Sequence, residues 1–133
     1  MKRYVKHKDA RDLRENGRII LARGEVTGHV HEVLDAMMPG VSEAEYFEEP
    51  GGRKMLLSMS SRPFVHEEHG RIELDPAAAA RGATLLSQGV QPGTKIPGQY
   101  RQGDVLLQPC GFGAWEVIPQ REYAPDAIRV IAD

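Results

Sequence analysis

Apolar residues in this chain come in short clusters, punctuated by glycine and proline, and this spacing predicts many short strands. Arg18 to Val26 reads as a strand rich in Ile, Leu and Val, and Thr27-Gly28 allows a bend. From His29 to Leu34 the chain alternates, with His29, His31 and Val33 on one face and Val30, Glu32 and Leu34 on the other. Ala44 to Glu48 and Lys54 to Met59 flank Glu49-Pro50-Gly51-Gly52-Arg53, a hairpin signal. Arg62 to His69 and Arg71 to Leu74 form another extended pair, broken at Gly70. Asp75-Pro76 followed by four alanines predicts a helix over 76–88, weakened by Gly82 and ended by Gly89. Val90 to Gly98 reads as a loop. Tyr100 to Gln108, Ala114 to Ile118 and Gln120 to Tyr123 read as extended, with Gly111-Phe112-Gly113 as a hairpin turn. Ala127 to Ile131 is a final short element, and Asp9 to Asn16 is a short helix with Asp9 as N-cap. The predicted fold is mainly β, a small β-barrel or β-sandwich with one short helix.

With 133 residues, the expectation is a single β domain over 1–133, large enough to bury a core without disulfides. The single cysteine, Cys110, permits no internal disulfide and no CxxC site. No apolar run approaches the length of a transmembrane helix, and the charged N-terminus lacks the apolar middle of a signal peptide. The expected setting is cytoplasmic, or a virion if the chain is phage-encoded, with no membrane partner.

The formal net charge of −2 hides a polarity. Residues 1–23, a basic N-terminal segment, carry eight Lys and Arg against three acids, whereas residues 25–49 carry seven acids and no Lys or Arg. The basic segment would pair with the acidic one, within the molecule or between copies. Acids interleaved in the arm, a 6% aromatic content and a pI near 6.2 argue against a nucleic-acid partner.

Five histidines occur, and four form the pairs His29-x-His31 and His66-x-x-His69. Histidines at i and i+2 on a strand share a face and can hold one metal ion, and imidazole suits divalent zinc or iron. If the second pair lies on a strand, His66 and Glu68 share one face while Glu67 and His69 share the other. On a helical turn His66 and His69 converge. The candidate ligands are therefore His29, His31, His66 and His69, with Glu67 or Glu68 as alternates. The competing reading is a cluster of histidines bonded to neighbouring acids.

Gly103-Asp104-Val105-Leu106-Leu107-Gln108-Pro109-Cys110-Gly111 resembles the second conserved motif of the cupins, and His29-Val30-His31 followed by Asp35 resembles a degenerate first motif. The resemblance implies a β-barrel with a histidine-held metal. The second motif's histidine would fall at Ala114, so His66 or His69 would have to replace it. The alternative for the Gly103 stretch is a plain β-hairpin. The segments Gly24–His31, His66–His69, Gln102–Leu107 and Gln120–Tyr123 resemble an uncharacterised group of small bacterial and phage proteins. That resemblance implies that the four histidines belong together, and it transfers no reaction.

No dinucleotide fingerprint, P-loop or nucleophile elbow is present, and Cys110 has no sequence-adjacent base. Two readings follow. One is a metal-binding, cupin-like barrel, structural or directed at a small molecule. The other is a non-enzymatic assembly protein, plausibly a capsid-associated phage component, that self-associates or binds a protein through its polarised charge.

Overall fold

The computed structural model describes residues 4–15, 19–23, 30–33, 44–66, 70–102 and 105–119. The mainly β fold is as expected. The strands are β1 (Arg11–Asp12), β2 (Ile19–Arg23), β3 (Val30–Val33), β4 (Glu45–Glu48), β5 (Lys54–Leu57), β6 (Arg62–His66), β7 (Gly70–Leu74), β8 (Tyr100–Gln102), β9 (Val105–Gly111) and β10 (Ala114–Pro119). The helix α1 spans Pro76–Gln88. A six-stranded sheet runs β1-β4-β5-β10-β9-β8 and a four-stranded sheet runs β2-β3-β6-β7, with antiparallel pairing throughout. Among the described residues no ladder joins the two sheets, so closure into a barrel is not observed. The expected elements at 120–123 and 127–131 lie outside the described residues.

Alternation sorts the six-stranded sheet into two faces. Tyr46, Leu56, Trp115 and Pro109 stand side by side across β4, β5, β10 and β9, and all four are buried. Tyr46, Leu56 and Trp115 share one cluster with Ile19, Leu21, Val33 and Leu74 from the other sheet and Ala79 from α1. The two sheets and the helix thus enclose a common core. The other face of the large sheet carries a second cluster, Phe47, Met55, Leu57 and Ala114, with Cys110 packed against it.

The helix begins where its residues dictate. Asp75 is extended and its side chain accepts a 3.0 Å hydrogen bond from the Ala77 amide, and Pro76 occupies the first turn, where no amide is needed. Gly89, at φ 79°, closes the helix by donating its N–H to the Leu86 carbonyl. Gly82 does more than weaken this helix. A Cβ there would lie 1.9 Å from the Pro97 carbonyl oxygen, so the missing side chain lets the 96–98 loop cross the helix at contact distance. Gly98 makes the reciprocal approach at φ +75°, where a Cβ would sit 2.6 Å from the Ala79 backbone. Its carbonyl accepts the buried Trp115 indole N–H at 2.8 Å, joining loop, helix and sheet.

The N-terminal helix expected over 9–16 is a correction: no helix forms in its described part, where Arg11 and Asp12 are a strand that pairs with Glu48 and Phe47 of β4. Two effects favour the strand. A helix of that length is marginal in water. In addition, the Asp12 carboxylate accepts the Arg14 backbone amide at 3.0 Å, a local bond that competes with helix formation.

Candidate functional site

Two histidines of the candidate metal set lie on neighbouring strands. His31 is on β3 and His66 ends β6. These strands pair antiparallel with Glu32 opposite Val65 and Val33 opposite Phe64. His31 and His66 are the residues that follow the Glu32–Val65 pair on the two strands. On its other side His31 stands opposite Ala22 of β2, and His66 stands opposite Gly70 of β7.

Across the four strands Ile19, Val33, Phe64 and Ile72 stand opposite one another. Ile19 and Val33 are each 1% exposed members of the shared core, and Ile72 packs against it.

His29, Glu67, Glu68 and His69 lie outside the described residues. Of the extended run expected over 62–69, Arg62–His66 is strand β6 and the rest lies outside the described residues, and β7 begins at Gly70, opposite His66. Among the described residues no group of three or more His, Cys, Asp or Glu side chains is arranged to hold a metal ion. Ala114, the position at which the cupin-like second motif would carry histidine, is fully buried in the cluster of Phe47, Met55 and Leu57 on the far face of the large sheet. The segment around it is a β-hairpin, β9 to β10, turning at Phe112-Gly113.

Cys110 offers a contrasting environment. The Arg53 guanidinium donates to its sulfur at 3.0 Å, yet burial pushes the thiol's pKa up and outweighs the cation. A nucleophile needs the opposite balance. Arg53 also meets Glu116 at 3.4 Å and Glu49 at 3.9 Å. The cleft beside it, about 300 Å³ and walled by Glu48, Lys54 and Glu116, therefore mixes charges of both signs.

Two ion pairs join the described parts of the basic and acidic segments. Lys6 pairs with Glu45 at 2.7 Å and Arg11 pairs with Glu48. Arg11 holds the Glu48 carboxyl below its ordinary pKa, and hydrogen bonds from Arg14 do the same for Asp12. No helix of the described residues is long and apolar enough to cross a membrane.

Comparison of the chain with protein-family models, curated proteins and solved structures yields no match.

What sequence reasoning missed is that β3 and β6, which carry His31 and His66, are paired neighbours, because that pairing joins strands far apart in the chain.

Proposed function

We propose that this chain binds a divalent metal ion, zinc or iron, through His31 and His66, with the set completed from His29, His69 and the carboxylates of Glu67 and Glu68. The observation that supports it is the pairing of β3 with β6, which carry His31 and His66 one residue beyond the Glu32–Val65 pair. Neighbouring strands lie about 4.7–4.9 Å apart, a span that one ion held by two side chains can bridge. Imidazole ligands favour zinc and iron over magnesium or calcium. Three ligands would leave a position open to a small molecule, and four would make the ion a structural clamp between β3 and β6. Bound to the folded chain, the ion adds its binding energy to the stability of the small sheet.

Metal analysis of tag-free protein, followed by competitive titration with zinc and cobalt, tests this reading. The expected result is near-stoichiometric metal, with His31→Ala and His66→Ala each weakening binding by about a hundredfold or more, beyond the typical cost of perturbing an outer-shell partner. The cobalt spectrum distinguishes a closed four-ligand site from an open one. Protein that takes up no zinc at micromolar concentration, or binding indifferent to both substitutions, refutes the proposal.

A further inference from the structure

The outer face of the six-stranded sheet is covered by the chain's own N-terminal segment. Tyr4 and Ala10 pack on the cluster that contains Phe47 and Met55. Lys6 lies 4.9 Å from the centre of the Phe47 ring, and Tyr4 meets the same ring at 6.4 Å between centroids. Further along, β1 contributes only two residues to the sheet edge, and the Leu13 amide adds one bond to the Tyr46 carbonyl at 2.8 Å.

Leu13, at the end of this segment, packs against the shared core, but the polar attachments before it are of a weak kind. Both ion pairs are solvent-exposed, with Lys6 and Glu45 41% and 45% exposed and Arg11 68% exposed. Such pairs contribute little and are screened by salt. Val5, near the start of the strap, is 80% exposed and adds little burial. The Tyr4 hydroxyl is buried with no hydrogen-bond partner among the described residues, which works against docking. What it covers is different in kind: Phe47 is 1% exposed and Met55 0%. An apolar face is thus hidden under a segment held by a few apolar contacts, a two-residue ladder and two exposed ion pairs.

We propose that residues 4–13 form a salt-releasable strap, which lifts from β4 as a unit while the rest of the fold stays intact, and so uncovers the Phe47–Met55 face. Its opening free energy lies below that of global unfolding, as for other segments with few buried contacts. Raised ionic strength and loss of the ion pairs drive it open, and removal of the unpaired Tyr4 hydroxyl holds it shut.

Amide hydrogen exchange read by NMR on the full chain measures this. The Leu13 amide is expected to exchange much faster than the amides of β5, and to accelerate when salt is raised from 0.05 to 0.5 M. Lys6→Ala and Arg11→Ala should each speed it by about two- to fivefold, without changing exchange in β5. Tyr4→Phe should slow it by at least about fivefold. A Leu13 amide that exchanges as slowly as those of β5 overturns the proposal. So does one that ignores both salt and the two ion-pair variants.

Discussion

The two sheets face one core but fill it differently. Across the six-stranded sheet the inward row Tyr46, Leu56, Trp115, Pro109 is large and buried throughout. The four-stranded sheet contributes Ile19, Leu21, Val33 and Leu74 to the same core, and its strands β3 and β6 also carry His31 and His66. The first sheet is built for packing, reinforced by glycines that let backbone meet backbone. Under the proposed function the second sheet carries metal ligands, so substitutions in the two should have unlike consequences.

The largest expected effect is at the glycine contacts. Gly98→Ala places a Cβ against the Ala79 backbone at a φ of +75°, adding strain to overlap. A loss of about 3 kcal/mol or more is expected, read as a fall in thermal midpoint on the order of 10 °C. By contrast, His31→Ala in metal-free protein should stay within about 1 kcal/mol of the parent chain. If the histidine substitution proves as costly as the glycine one, the division between the sheets fails.

Alkaline titration sharpens the same contrast. Burial, aided by the charges of Glu48 and Glu15, pushes the Tyr46 phenol up to about 12 from an ordinary 10. A raised folded-state pKa means that the unfolded chain loses its proton first. The contribution of Tyr46 is therefore complete below pH 10 and is lost between about 10 and 12, up to about 2 kcal/mol. Chemical denaturation at pH 9 and pH 11 measures the loss, and Tyr46→Phe should flatten that part of the profile. An unchanged slope in Tyr46→Phe would assign the alkaline sensitivity elsewhere.

How much of this was legible in the sequence depended on the range of the determining contact. Asp75-Pro76 and Gly89 bracket α1 because capping and φ preferences act within a few residues. The β4–β5 and β9–β10 hairpins were legible for the same reason, with Gly52 and Gly113 supplying positive φ at the turns. The N-terminal segment was misread because its partners, Glu45 and Glu48, lie 39 and 37 residues further on. The histidine pairs were visible as residue types. The pairing of the strands that carry His31 and His66 was not, since β3 pairs with β6 across the intervening β4–β5 hairpin, which belongs to the other sheet. Gly82 shows the same limit: helix propensity marks it as a weakness, and only the Pro97 carbonyl explains it.

The smallest expected effect tests where the two sheets are joined. Asp75 follows Leu74, the last residue of β7, and its amide donates to the Tyr100 hydroxyl of β8 at 3.0 Å while its carboxylate caps α1. One residue therefore ties the small sheet, the helix and the edge of the large sheet together. Asp75→Ala should cost about 1 kcal/mol through the lost cap, and Asp75→Asn should recover most of it. Tyr100→Phe should cost a similar amount by leaving the Asp75 amide without its acceptor. Neither should split unfolding into two steps, because Leu74 and Val33 share a buried cluster with Leu56 and Trp115, and that burial far exceeds one hydrogen bond. Separate transitions by tryptophan fluorescence, which follows the large sheet, and by far-ultraviolet circular dichroism in Tyr100→Phe would show that the hydrogen bond, and not the common core, makes the sheets fold as one.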